Sequence, residues 1–102
     1  MTKFKVVKDN AKYIIEIKGH ADYSDEGYDI VCAGISMAVS MTFNLIDKFG
    51  LSYNIINQRV QKGDVLLETN MSDSKVVTIM DNLVDYLNAL EEKYPNNIKQ
   101  VK

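Results

Sequence analysis

The apolar residues of this chain change their spacing along its length, and that change limits the fold it can adopt. Between Tyr13 and Lys18 they alternate, with Tyr13, Ile15 and Ile17 on one face and Ile14, Glu16 and Lys18 on the other. A period of two is that of a strand with one buried face. Further on, Val76, Ile79, Met80, Leu83, Leu87 and Leu90 recur every three or four residues, with Asp81, Asp85, Glu91 and Glu92 opposite. That is an amphipathic helix. Between the two lies a longer apolar run containing Ile30, Val31, Ile35, Met37, Val39, Met41, Phe43, Leu45 and Ile46. Apolar residues on nearly every side predict a helix buried on several faces.

Turn and cap residues supply the boundaries. Phe4 to Lys8 reads as a first strand, and Asp9-Asn10 is turn chemistry joining it to Tyr13–Lys18 as a hairpin. Gly19 ends the second strand. Ala21 to Tyr28 is polar and without period, which predicts a loop able to close over a site. Asp29 is the expected N-cap of a helix from Ile30 to about Phe49, stopped by Gly50. Tyr53–Val60 and Val65–Thr69 read as strands around Lys62-Gly63-Asp64. Ser72 or Asp73 caps the second helix, Pro95 closes it, and Asn97–Val101 forms a last short strand. The order is ββαββαβ: a single α+β domain over residues 1–102, its antiparallel or mixed sheet carrying two helices. Ala33, Gly34, Ser36, Ala38 and Ser40 are small and would let another backbone come close to the first helix. Gly34 costs that helix about 1 kcal/mol relative to alanine, which points to a packing or site requirement.

Charge and cysteine content exclude several classes of function. The net charge is -2 and no Lys/Arg cluster appears, so nucleic acid is not an expected partner. No stretch is read as a membrane span, and the first residues carry no apolar run of signal-peptide length. A single cysteine cannot form an internal disulfide. The expected setting is cytoplasmic. No phosphate-cradling glycine motif and no metal-ligand repeat is present, so neither cofactor nor metal is implied.

The chemistry gathers between Gly19 and Ser36. This stretch holds the only histidine, His20, and the only cysteine, Cys32, with strand pattern before it and helix pattern after it. A base and a nucleophile can meet across such a loop. If Asp29 caps the helix, Cys32 falls in the first turn, where free N–H groups and the helix dipole favour a thiolate and can hold an oxyanion. Asp29 would oppose that thiolate by its charge, yet could orient His20. Ser36, four residues after Cys32, shares its helical face and could support it. Simpler assignments fit the same residues: a lone cysteine as a small buried apolar group, and a histidine beside glycine as a polar strand end.

Gly19-His20-Ala21, then Gly27, then Asp29-Ile30-Val31-Cys32-Ala33 and Ser36 closely resemble the motifs of the ribosomal-processing cysteine protease family, Prp. The resemblance joins two motifs at the expected separation, and the order of elements fits over essentially the whole chain. Gly34 departs slightly, where alanine or another small residue is expected. The resemblance implies a cysteine endopeptidase that removes the N-terminal extension of the bacterial large-subunit ribosomal protein L27 homologue, cutting after a pair of aromatic residues. It implies His20 and Cys32 as the catalytic dyad, with Asp29 and Ser36 at the motif's acidic and hydroxyl positions. Gly19, Ala21 and Gly27 would belong to the loop over the site. It further implies a homodimer. Specificity would need an apolar cleft, expected near the small-residue face of the first helix. A non-catalytic, ribosome-associated interaction module is the competing reading. A thiol redox protein is weaker, because a resolving cysteine would have to come from another chain.

Overall fold

The computed structural model of the chain describes residues 1–19 and 26–102, and of residues 26–29 the backbone only. The elements are β1 (Thr2–Lys8), β2 (Lys12–Lys18), α1 (Glu26–Lys48), a 3-10 turn (Ser52–Asn54), β3 (Ile55–Gln61), β4 (Asp64–Asn70), α2 (Ser74–Lys93) and β5 (Ile98–Val101). The strands form one sheet in the order β3-β4-β2-β1-β5, antiparallel except for the β1–β5 pair. The ββαββαβ order and the mixed sheet with two helices are those the sequence predicts.

The alternation on β2 sets the layers. Tyr13, Ile15 and Ile17 are buried, and of their register partners on β1 and β4, Phe4, Leu67 and Thr69 are buried with them while Val6 and Val65 are half-buried. Both helices cover this face. The six-residue stripe of α2 is buried as its spacing demands. Asp73 caps α2, its carboxylate accepting from the Lys75 N–H at 2.8 Å. The Asp9 carboxylate shapes the β1–β2 turn by accepting from the N–H groups of Ala11 and Lys12. At the end of α1, Gly50 (φ 71°) closes a Schellman motif: its N–H donates to the Asp47 carbonyl and the Leu51 N–H to that of Ile46.

Four expectations are corrected. Helix α1 begins at Glu26, so Asp29 lies inside its first turn and is not the N-cap, and residues 26–28, Gly27 among them, are helical rather than loop. Acidic residues in a first turn gain from the helix dipole as a capping aspartate gains from free N–H groups, so the sequence signal fits either place. Tyr53 belongs to the 3-10 turn, and β3 starts at Ile55. Helix α1 buries one face, with Val31, Ile35, Val39 and Ile46 inside, and leaves Ile30, Met37 and Met41 exposed. Finally, Ile30–Lys48 is by length and composition long and apolar enough to cross a bilayer. The topology argues against a crossing: α1 joins β2 to β3, and both are strands of one sheet.

Helix α2 is tied to the sheet by Asp81, which accepts from the Tyr13 hydroxyl at 2.7 Å and from Lys8 Nζ at 3.0 Å. The Tyr13 bond first, then Lys8, holds the Asp81 carboxyl below its ordinary value, while burial and the same carboxylate push the Tyr13 hydroxyl above its own. Asp64 is lowered likewise by its two-pronged pairing with Arg59. A carboxyl lowered by folding contributes its full stabilisation above its unfolded pKa and loses it as pH falls through the folded value. Thermal unfolding should therefore show a melting temperature that drops as pH falls below about 4. The drop should be shallower in Asp81→Asn; an unchanged slope would remove Asp81 from the account.

Candidate active site

One end of the sheet is drawn together by glycines. The Gly19 N–H donates to the Gly63 carbonyl at 3.1 Å, joining the end of β2 to the β3–β4 turn. A Cβ on Gly19 would stand 2.7 Å from the Thr2 Cα, and one on Gly63 would collide with the Gly19 carbonyl oxygen. Gly63 also has φ 74°, which disfavours any side chain. Gly19 is therefore held between two backbones, and it is the residue that delivers the chain to position 20. His20 and Ala21 themselves lie outside the described residues, as does most of the predicted loop.

Helix α1 reaches the same end. Its C-terminus is anchored at the opposite end of the sheet, where Leu51 and Asn54 are buried just before β3. At 1.5 Å per residue the helix is about 34 Å long, enough to run back past strands of about 23 Å. Cys32 lies in the second turn of α1, partly exposed and free. This corrects the placement in the first turn: the helix's free N–H groups belong to residues 26–29, one turn earlier. Side chains on a helix lean toward its N-terminus, so the thiol tilts back toward that turn. Ser36 is exposed one turn further along the same face. The side chain of Asp29 lies outside the described residues.

The small-residue face has another use than the one predicted. Gly34 admits the Tyr86 side chain of α2, whose hydroxyl would lie 2.5 Å from a Cβ there. The close neighbour is thus a phenol rather than a backbone. Beside it runs a groove of about 480 Å³ between α1 and α2, lined by Gly34, Met37, Met41, Leu45, Leu83 and Tyr86. At about 100° per residue, Gly34 and Met41 lie roughly 160–180° around α1 from Cys32. The apolar groove therefore opens on the flank away from the thiol, along the small-residue face where a cleft is expected.

The charged pairs stand apart from both flanks. Arg59, Asp64, Glu16 and Lys18 meet on the uncovered face of the sheet, and Lys8 and Asp81 at the edge of α2. None of them shares the α1 flank of Cys32. Sequence reading took Gly63 only as a turn residue; its contact with Gly19 is long-range, and the turn signal Lys62-Gly63-Asp64 was all that marked it.

Gly50 and Gly63 both have positive φ, but only Gly63 has a neighbour in the way. Gly50→Ala should cost about 1 kcal/mol of stability from strain alone. Gly63→Ala should cost clearly more, as read by denaturant unfolding. Equal costs would mean that the Gly19 carbonyl yields freely.

Comparison with known proteins follows the same outline. Residues 1–99 match the profile of the family described as cysteine protease Prp. Two Staphylococcus aureus sequences, from strains Mu50 and NCTC 8325, are each named ribosomal processing cysteine protease Prp. Each is 31% identical to this chain over 84 residues, covering 79% of it and 77% of their own length. The crystal structure of the S. aureus protease with a substrate peptide superposes with a TM-score of 0.81 at 25% identity, covering 99% of this chain and 98% of that one. The same protease with a covalently linked product peptide gives 0.75 at 26% identity, covering 98% and 97%. A Streptococcus mutans protein shares the fold, with a TM-score of 0.75 at 19% identity and coverage of 98% and 95%.

Proposed function

Since the chain belongs to the cysteine protease Prp family, we propose that it is the endopeptidase that removes the N-terminal extension of the L27 homologue, cutting after an aromatic pair with Cys32 and His20. The observation that carries this reading is the convergence at one end of the sheet. Gly19 is clamped between Thr2 and Gly63 directly before His20, and α1 returns to that end bearing a free, partly exposed Cys32. The relatives named above are ribosomal processing proteases, and the S. aureus enzyme is known with a substrate peptide and with a covalently linked product peptide.

In the proposed reaction His20 takes the thiol proton and the Cys32 sulfur attacks the scissile carbonyl. Free N–H groups at the start of α1, toward which the thiol leans, would donate to the oxyanion. The tetrahedral intermediate expels the amine, which takes its proton from His20. Water, activated by the same imidazole, then cleaves the thioester and frees the new C-terminus and the thiol. Asp29 keeps a supporting role through its charge in the first turn, and Ser36 through its place one turn beyond Cys32. A cytoplasmic setting belongs to this reading, because the substrate is a ribosomal protein.

Wild type, Cys32→Ala and His20→Ala, incubated with the extended ribosomal protein of the same organism and followed by mass spectrometry, test the reaction. Wild type alone should cut after the aromatic pair, with each variant slower by at least a thousandfold, the scale on which nucleophile and base act as a unit. Wild-type rates in either variant would overturn the dyad.

A homodimer belongs to the same proposal. Met37 and Met41 are about two-thirds exposed on the α1–α2 face, with Ile30, Leu45 and Tyr86 also uncovered. An apolar face of this kind is costly in water and suits a second copy. Sedimentation should give a dimer for wild type and a monomer for Met37→Glu/Met41→Glu; a wild-type monomer at micromolar concentration would remove the dimer.

A further inference from the structure

The face of the sheet turned away from the helices gathers charge that the chain keeps apart. Lys3, Lys5, Lys12, Lys18, Arg59 and Lys99 alternate with residues of the helix-bearing side and so share this open face. Glu16, Asp64 and Glu68 are the acidic strand residues beside them. Six of the chain's 12 lysines and arginines thus stand against three of its 14 acidic residues, in a chain whose net charge is -2.

The excess is uneven. Arg59 is paired with Asp64 and Glu16, and Lys18 reaches Glu16 at 3.7 Å. Toward β5 no acid answers. Lys99 is the register partner of Lys3, and Lys3 of Lys18, so three lysines form one row across three neighbouring strands. Neighbouring strands lie about 4.8 Å apart, so the row spans about 10 Å. Lys5 stands two residues beyond Lys3, and its own partner Glu16 is turned to Lys18 and Arg59. Lys3, Lys5 and Lys99 are exposed and form no ion pair among the described residues. Like charges directly opposite one another destabilise a sheet. Lysines guard an edge strand against pairing, which accounts for Lys99 but not for Lys3 and Lys18, whose strands are interior. The row therefore works against the fold. It also ends at the candidate site, since Lys18 precedes Gly19 and Lys3 follows Thr2, on which Gly19 packs.

We propose that Lys3, Lys5, Lys18 and Lys99 form a docking surface for the phosphate backbone of RNA. The inference takes its occupant from the protease reading: a ribosomal protein is built to lie on RNA, so the enzyme that trims it works where RNA phosphates are at hand. RNA carries a negative charge at every nucleotide, and lysines that neutralise these charges release counterions. Such contacts position the protein without reading a base sequence. The protein substrate does not suit this row, because a chain that binds RNA is itself basic and would be repelled. A second copy does not suit it either, since a two-fold contact sets a surface against itself and would place lysines on lysines. Nucleic acid was not expected from the net charge and the absence of a Lys/Arg run; these four lysines form no run and meet only in the sheet.

The test follows a fluorescent oligouridylate of 20 nucleotides by anisotropy against the full chain. With four phosphates neutralised, binding should be about fiftyfold tighter at 50 mM than at 200 mM salt. Lys3→Gln/Lys5→Gln/Lys99→Gln should weaken binding at 50 mM at least tenfold and reduce that salt effect to about threefold, without lowering the melting temperature. Lys48→Gln/Lys75→Gln/Lys93→Gln removes the same charge from the helices and should bind as wild type does. Lys3→Gln alone should weaken binding about twofold and lower the salt effect in step, which serves if the triple variant fails to fold. No binding by wild type, or equal losses in both triple variants, would overturn the surface. So would displacement of the RNA by polyglutamate as readily as by unlabelled RNA, which would make this a site for acidic peptides. Cleavage of the extended ribosomal protein, free of RNA, judges the protease reading separately. RNA binding without cleavage keeps the surface and removes the protease, and cleavage without RNA binding does the reverse.

Discussion

Strand β2 occupies the middle of the sheet, between β4 and β1, and its register decides where every other element lies. Tyr13, Ile15 and Ile17 point to the helices and Ile14, Glu16 and Lys18 to the open face. A slip of one residue would exchange these sets, placing Glu16 and Lys18 under α1 and α2. The buried partners on β1 and β4 repeat the same choice, so the slip would have to be made by three strands at once. Both helices can then settle on a single apolar surface, and the ends of the strands are set in place by the same register.

That register also brings Gly19 to Gly63. Because Lys18 pairs with Asp64, the residues just beyond them must pass each other closely, and glycine at both positions gives the room. The corner is closely packed on the side of the sheet, whereas Cys32 belongs to helix α1. The proposed site depends on two long-range features, the β2–β4 pairing and the anchoring of α1 near Leu51. The charged groups with lowered carboxyls, Asp64 and Asp81, lie elsewhere and act on stability.

Much of this was legible in the residues. The α2 stripe, the β2 alternation, the Gly50 stop and the Asp73 cap are local signals, each complete within one turn or one strand, and each is realised. Asp29 was misread because an acidic residue suits both a cap and a first turn. The faces of α1 could not be read from periodicity, since apolar residues surround it: Val31 and Met41 look alike in the sequence, and one is buried while the other is exposed. The protein's own core does not need every apolar residue of α1.

The sequence by itself determined the elements, their order, and the motif residues from Gly19 to Ser36 that mark the family. Periodicity and turn chemistry act over a few residues, so they survive translation from chain to structure. Only the tertiary structure decided that Gly34 seats Tyr86, that the apolar groove lies on the flank away from Cys32, and that β3 is left as an edge of the sheet. Those outcomes depend on which helix face meets which strand, a question of packing among residues far apart in the chain that no local pattern encodes.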